Sequence, residues 1–254
     1  MLQILNSSMI VCANLTKKVP LENIFSMANS IGFKYIQFSF VHEGINDDNP
    51  IINNSFLDKA KKIKNMASQH SISFPVIHGW LPSTTQAPEV LDIYLQIREM
   101  LNSQYLIIHP KDLINLKQII GIVKNEELKE FILIENVAEP LFKMDYEDIN
   151  LIINAGINFC FDTCHAMESG LDIEKMLIEY QKYIKVIHLS DFNGEGRHLP
   201  IGSNMINHGV ISKISKEVTI VFEHKAKNPD EFFNRYSTSF NYFSRIISDS
   251  KNLS

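Results

Sequence analysis

The sequence predicts one closed barrel of eight parallel β-strands, each followed by an α-helix, over residues 1–254. Short apolar runs alternate with longer amphipathic segments from end to end. Most of the runs are apolar at both parities, which is typical of parallel strands buried on both faces. The predicted strands are 9–15, 35–40, 72–78, 105–110, 131–137, 157–162, 184–191 and 218–224.

Helical periodicity fills the intervals between these runs. Leu21, Ile24, Phe25 and Ala28 keep i, i+3, i+4 spacing after Pro20, which suits a first helical turn. The same spacing recurs over 56–67 and 113–123, and weaker patterns predict helices at 88–102, 145–155, 171–182, 206–216 and 229–247.

A doubly wound open sheet is the alternative to the barrel. For nucleotide binding it needs a glycine-rich phosphate loop after an early strand. The sequence has neither G-x-G-x-x-G nor G-x-x-x-x-G-K-[ST], so it gives no support to the common nucleotide-binding loops.

Composition narrows the classes of partner. The formal net charge is −5, from 24 basic and 29 acidic residues. Non-specific nucleic-acid binding requires a basic face, so this balance disfavours a nucleic-acid partner. Three cysteines do not make a disulfide framework, and no run reaches the length of a membrane span. The start is a poor signal peptide, so we expect a soluble, cytoplasmic protein.

Six ionisable residues share one position, the carboxyl end of a predicted strand. They are His78, His109, Glu135, Asp162, His188 and Glu223. Active sites of such barrels form at this face, so we expect the six side chains to converge there.

Strand parity adds a direction. Glu135 shares a face with Leu133, and Glu223 shares one with Val221, so both carboxylates point inward if that face is the interior. Clustered carboxylates repel one another, and a divalent cation removes that cost. The alternative is that each residue ends its strand as an ordinary polar residue. Four consecutive strands repeat the placement in Glu135, Asp162, His188 and Glu223, which favours a metal site.

Longer motifs at the strand ends resemble those of the xylose-isomerase-like barrel superfamily. They are FDTCHAMESG (161–170), VIHLSDFNGEGRHLPIG (186–202), ENVAEP (135–140) and FEHK (222–225). That superfamily contains sugar and sugar-phosphate isomerases and epimerases, together with endonuclease IV. The resemblance extends from IHG (77–79) to FEHK.

The epimerase branch implies roles by position. Glu135, Asp162, His188 and Glu223 would hold one divalent ion, such as Mn²⁺, Co²⁺, Mg²⁺ or Zn²⁺. Glu135 and Glu223 would also move the proton at a substrate carbon through an enediolate. His165, three residues after the aspartate, would contact substrate oxygens.

The endonuclease branch implies three zinc ions and cleavage of abasic DNA. His78 and His109 match its two early histidines and would hold further Zn²⁺, and His198 matches a late ligand. In the epimerase branch, His78 and His109 are instead candidates for substrate binding or for a supporting structural role. The endonuclease branch has an aspartate where this chain has Gly196. A third zinc would lose a carboxylate here, which disfavours phosphodiester chemistry. His198 then contacts substrate or organises its loop.

Two further residues are candidates for substrate contact. Arg197 can reach a substrate phosphate, or its side chain can be solvated in the loop. Trp80 can form an apolar wall for a sugar ring, or it can pack in the core.

We therefore expect an isomerase or epimerase of a small sugar, ketose or sugar phosphate. A sugar- or metal-binding barrel without turnover is a further alternative. Loops 40–55 and 80–88 are expected to set specificity, and the resemblance suggests a homodimer.

Overall fold

The eight barrel strands are short, and most of their side chains are buried. In the computed structural model, the residues described are 10–14, 19–39, 54–215 and 217–251. The barrel strands are β1 (Val11–Asn14), β2 (Tyr35–Ser39), β3 (Val76–Trp80), β4 (Tyr105–His109), β5 (Ile132–Glu135), β8 (Phe159–Asp162), β9 (Ile184–Leu189) and β10 (Thr219–Phe222). A small hairpin, β6 (Ala138–Glu139) and β7 (Phe142–Lys143), follows β5.

Helices connect the strands on the outside. They are α1 (Leu21–Ile31), α2 (Asn54–Gln69), α3 (Ala87–Leu101), α4 (Leu113–Val123), α5 (Glu126–Lys129), α6 (Tyr146–Asn154), α7 (Thr163–Ser169), α8 (Ile173–Glu179), α9 (His208–Ile211) and α10 (Pro229–Lys251). Gly32 ends α1 at φ 113°, a left-handed conformation that glycine adopts without a steric penalty. None of the described helices is long and apolar enough to cross a membrane.

The sheet closes on itself, as predicted. Every neighbouring pair in the order β1-β10-β9-β8-β5-β4-β3-β2 is parallel, and β1 pairs with both β2 and β10. The register places Asp162 beside His188 on adjacent strands. All parallel strands therefore end at one face, where their terminal side chains meet.

Two apolar layers surround the strands. Side chains inside the barrel form a small buried cluster made of Cys12, Val76, Ile107, Leu133, Cys160, Val186 and Val221. A larger cluster lies between the strands and the helices. Leu133 and Val221 belong to the inner cluster, which confirms the predicted inward parity of Glu135 and Glu223.

Some predicted boundaries were wrong. β3 begins at Val76, four residues beyond the start of the predicted 72–78 run, and Ser73 makes an isolated bridge before it. The predicted helix at 206–216 is one short turn, α9, within its described part. The segment 192–206, which precedes α9, is a loop organised by the buried side chain of Asp191. The Asp191 carboxylate accepts hydrogen bonds from the backbone N–H groups of Asn204 and Met205 at 2.8 and 3.0 Å. Residues 40–53 of the predicted specificity loop 40–55 lie outside the described residues.

Candidate metal and substrate site

Four side chains converge on one point at the carboxyl ends of adjacent strands. His188 Nδ1 lies 2.6 Å from Glu135 Oε1, 2.7 Å from Glu223 Oε2 and 3.8 Å from Asp162 Oδ2. One ligand atom from each residue lies within 4.8 Å of the others. Glu135, Asp162 and His188 are fully buried, and the Glu223 side chain is 18% exposed. The cluster therefore opens towards solvent on the Glu223 side. We call these four residues the carboxylate–imidazole cluster.

The donor set fits a divalent cation. Three carboxylates around one imidazole, two of them fully buried, carry more negative charge than the imidazole can balance, and burying such charge without compensation is costly. Asp162 Oδ2 is buried and has no hydrogen-bond partner among the described residues. Carboxylate oxygens with one imidazole nitrogen suit Mn²⁺, Co²⁺, Mg²⁺ or Zn²⁺. The cluster could hold one such ion through all four residues.

The pKa shifts reflect burial and close packing of charge. Burial by itself raises the pKa of Glu135, but the imidazoles of His188 and His78 outweigh it and hold that pKa well below its usual range. Burial, with Glu223 and Glu135 nearby, raises the pKa of Asp162 to about 7. Burial lowers the pKa of His188, but the adjacent carboxylates raise it well above 6.5. The Cys160 thiol beside it is uncharged, because burial raises its pKa to about 12.

Gln37 on β2 orients His188 from the opposite side. His188 Nε2 lies 2.8 Å from Gln37 Oε1, and Gln37 is fully buried. An N–H at Nε2 donates to this oxygen, which leaves Nδ1 facing the carboxylates. Sequence reasoning missed Gln37, although its place in the polar–apolar alternation of YIQFS is a signal that could have suggested it.

Asn136 and the start of α7 fix the next pair of side chains. Asn136 Oδ1 accepts the Asp162 N–H at 2.7 Å, and Asn136 Nδ2 donates to the Asp162 carbonyl at 2.9 Å. Asp162 Oδ1 caps α7 by accepting the His165 N–H at 2.7 Å. His165 Nδ1 lies 2.9 Å from the Asn136 carbonyl oxygen and donates to it. The His165 ring therefore keeps Nε2 available to a ligand. Asn136 was also missed by the sequence analysis.

Histidines form a row along the rim of the cluster. The ring centroid of His78 lies 5.2 Å from that of His188 and 6.1 Å from that of His109. The row continues from His109 to His165 at 5.9 Å and from His165 to His198 at 5.5 Å. His78 Nε2 also lies 2.9 Å from Glu135 Oε2. All the predicted site histidines are thus brought together with the cluster.

Burial keeps part of this row neutral. Burial lowers the pKa of His109 to about 4 and that of His198 to about 3. For His165, burial lowers the pKa, but the carboxylates of Asp162 and Glu135 outweigh it and raise it. Neutral imidazoles can accept a hydrogen bond or bind a metal ion, whereas an imidazolium donates only.

The two remaining predicted contacts lie at the edge of the site. Trp80 ends β3 and is partly buried against the main apolar cluster. The Arg197 guanidinium donates to the Glu168 carboxylate and to the Ala138 carbonyl oxygen. Their roles towards a substrate remain predictions.

Part of the chain matches a known protein family. Residues 114–235 match the model of the family described as Xylose isomerase-like TIM barrel. That stretch contains all four residues of the carboxylate–imidazole cluster. Over this stretch, which is a little under half of the chain, the sequence is similar to xylose isomerase-like TIM barrels.

Known proteins resemble this chain by sequence in some cases and by structure in others. A curated protein of Mycoplasma mobile described as "Probable endonuclease 4" is 31% identical, over 52% of this chain and 56% of that protein. The chain thus spans little more than half the length of this relative. L-ribulose 3-epimerase has a TM-score of 0.69 at 12% identity, over 96% of both chains. D-allulose 3-epimerase from Methylomonas sp., solved with D-allulose, has a TM-score of 0.65 at 11% identity, over 96% of this chain and 97% of that chain. At these identities the structural likeness shows the fold.

Proposed function

We propose that this barrel is a divalent-metal-dependent isomerase or epimerase of a small sugar, ketose or sugar phosphate. The observation that carries the proposal is the approach of Glu135 and Glu223 to the same nitrogen of His188, at 2.6 and 2.7 Å. They come from opposite ends of a row of four adjacent strand ends, with Asp162 and His188 between them. Two carboxylates flanking one cation site are suited to moving a proton at a bound carbon.

Each residue of the site has a role in this proposal. Glu135 and Glu223 are held in the ionised form, which can accept a proton, because the nearby imidazole of His188 keeps both pKa values below the usual range. One carboxylate removes a proton from a substrate carbon and the other returns a proton from the opposite face. When bound, the divalent ion lowers the free energy of the enediolate between these steps.

The histidine row supplies contacts to substrate oxygens. His165 presents Nε2, because its Nδ1 is occupied by the Asn136 carbonyl oxygen. His109 and His198 lie on either side of it. Solved structures that share this fold include an L-ribulose 3-epimerase and a D-allulose 3-epimerase, which supports a sugar as the ligand class.

Metal analysis followed by proton exchange tests the proposal. The purified protein is demetallated, reloaded with Mn²⁺, Co²⁺, Mg²⁺ or Zn²⁺, and incubated in deuterated water with a panel of ketoses and ketose phosphates. We expect one ion per chain and deuterium at one substrate carbon, with product identification separating isomerase, epimerase and lyase. The demetallated sample is the control. Binding of a sugar without deuterium uptake from any substrate would instead identify a passive binder.

A zinc phosphodiesterase acting on abasic DNA is the second candidate. The histidine row favours it, because His78, His109, His165 and His198 add imidazole ligands beyond the four-residue cluster. The curated relative named as a probable endonuclease supports it as well. Gly196 opposes it, since no carboxylate is present at that position, and so does the net charge of −5. Two or three ions per chain would favour this candidate.

A further inference from the structure

One ion pair joins three segments at the rim of the site. Arg197 Nε and Nη2 each lie 2.6 Å from Glu168 Oε2, and Nη2 also donates to the Ala138 carbonyl oxygen at 2.7 Å. The Arg197 and Glu168 side chains are only 27% and 16% exposed. Such a partly buried, charge-assisted contact is stronger and better ordered than a pair in solvent.

The joined segments follow three neighbouring barrel strands. Ala138 starts the hairpin after β5, Glu168 lies on α7 after β8, and Arg197 lies in the loop after β9. Lys143 of the hairpin adds a second tie by donating from Nζ to the Glu168 carbonyl oxygen at 3.1 Å. The three segments carry or border His165 and His198, the two histidines at the end of the row.

His198 needs such support, because its backbone is in a conformation that its side chain disfavours. Its φ is +54°, in the left-handed region where a residue with a Cβ is strained unless its surroundings hold it. The His198 N–H lies 3.4 Å from Cys164 Sγ, and its Nδ1 lies 3.3 Å from Ser190 Oγ. The contact to sulfur is of ordinary length and the contact to Ser190 is long. On one side the loop is held by backbone bonds between Leu199 and Asp191 at 2.8 and 2.9 Å, and on the other by the short bonds of Arg197.

We propose that Glu168 and Arg197 form a strut that holds the loop after β9, so that His198 faces the substrate beside His165. In this role Arg197 is a positioning residue. Its guanidinium does not bind a substrate phosphate, because turning it to one would leave the Glu168 carboxylate without its cation. The proposal rests on the proposed function for what His198 contacts, but the strut itself is independent of it.

The two roles of Arg197 make opposite predictions for Glu168. If Arg197 is half of a strut, Glu168→Ala and Arg197→Ala should each lower kcat/KM for the exchanging substrate by about 10- to 100-fold, mostly through KM. The double variant should be no worse than either single variant. Arg197→Lys should recover part of the loss, since lysine keeps the positive charge but lacks the paired N–H donors of the guanidinium. Metal content should stay at the parent value in all four variants.

Hydrogen exchange of the backbone tests the strut without any substrate. Peptides covering 193–199 and 138–143 should exchange faster in Glu168→Ala and in Arg197→Ala. Arg235→Ala is the matched control, because it removes an ion pair with Glu231 of the same length, 2.6 Å, and similar exposure on α10. It should leave both peptides and KM unchanged. Melting temperatures verify folding, and Arg197→Lys serves if an alanine variant does not fold.

Two results would overturn the strut. One is normal exchange in both peptides of a folded Glu168→Ala or Arg197→Ala variant. The other is a higher KM in Arg197→Ala together with an unchanged or lower KM in Glu168→Ala, which would show that Arg197 binds the substrate directly. If the parent protein exchanges no substrate proton at all, the proposed function fails, while the peptide measurement still decides the strut.

Discussion

The amide of Gln37 and the imidazole of His188 are joined across the barrel, with Gln37 Oε1 2.8 Å from His188 Nε2. A group that holds the remote nitrogen of a metal-binding histidine commonly changes metal affinity by about 10- to 100-fold. Gln37→Leu should weaken Mn²⁺ or Zn²⁺ binding by that amount, measured by calorimetry. Gln37→Glu keeps an acceptor for the His188 N–H and should bind at least as tightly as the parent. Equal affinities for the parent and the leucine variant would show that Gln37 does not orient His188.

The two glutamates should separate metal binding from chemistry. Glu135→Gln or Glu223→Gln keeps the size of the side chain and one weak oxygen ligand, so metal occupancy falls only in part. Proton exchange should fall by about 10²- to 10⁴-fold, because the base is lost. His165→Ala should keep the metal and chiefly weaken substrate binding. The measurement is metal content beside deuterium uptake for each variant, and parental exchange rates in both glutamine variants would exclude this acid–base pair.

Chelation should destabilise the fold. An ion that binds only the folded state at about 100 times its Kd adds about 2.7 kcal/mol to the free energy of unfolding. Chelator should therefore lower Tm in a thermal unfolding experiment, and Mn²⁺ or a similar ion should restore it. Asp162→Asn is the control, since it should reduce both responses. A demetallated protein whose Tm ignores added metal would contradict the metal site.

Abasic DNA separates the two candidate enzymes. With Gly196 in place of a carboxylate, zinc-dependent incision of abasic duplex DNA should be absent or very weak. A Cβ built at Gly196 lies 3.2 Å from Leu199 Cδ2, the end of a flexible side chain, so Gly196→Asp needs only a small adjustment. If the chain has the nuclease ligands except this one, that variant should gain zinc and incision activity. Efficient incision by the parent protein, assayed on a labelled oligonucleotide, would promote the nuclease above the epimerase.

Acid should destabilise the protein partly through His224, which lies behind β10. His224 Nε2 contacts Ser239 Oγ at 2.7 Å, and burial lowers its pKa from 6.5 to about 3. Between these pH values the unfolded chain binds a proton that the folded chain does not, so stability falls as pH falls from 6.5 towards 3. A full proton contributes about 1.4 kcal/mol per pH unit.

Denaturant titrations between pH 6 and pH 4 measure that dependence. His224→Gln can keep a hydrogen bond to Ser239 but does not titrate, so the slope of unfolding free energy against pH should fall by up to one proton. His208, which is exposed at the start of α9, is the matched control for the same substitution. An unchanged slope in His224→Gln would show that His224 is already protonated in the folded state.

Strand parity explains why the cluster could be predicted from the sequence. The βα unit repeats around the barrel, so the carboxyl ends of all the strands lie at the same face. A charged residue at the end of an apolar run, such as Glu135 or Asp162, must therefore lie at that face. The hairpin after β5 and the short helix α7 were not predicted. Both elements are too short to produce a recognisable hydrophobic periodicity. The start of α7 is set by the capping side chain of Asp162 more than by the apolar residues of the helix.

The supporting contacts were beyond what a sequence pattern can show. Asn136 holds Asp162 through two hydrogen bonds between neighbouring strand ends, and Gln37 reaches His188 from a position 151 residues away. Gln37 lies outside the motifs quoted above, and Asn136 lies within ENVAEP, but the motif does not show which group its amide contacts. A buried amide is informative only when its partner is known, and the partner depends on the register of the closed sheet. The same holds for Glu168 and Arg197, which come from different loops.

The contact between Gln37 and His188 also bears on the order of folding. Four neighbouring strands, β5, β8, β9 and β10, carry the cluster at or directly after their carboxyl ends, and they can assemble as a partial sheet. Gln37 reaches them only when β1 pairs with both β2 and β10 and the ring is complete. Contacts so distant in sequence form late, because the entropy of a long loop must be lost first. A partly folded chain with an open sheet would therefore bind a divalent cation weakly. High affinity for the cation would develop only when the barrel closes.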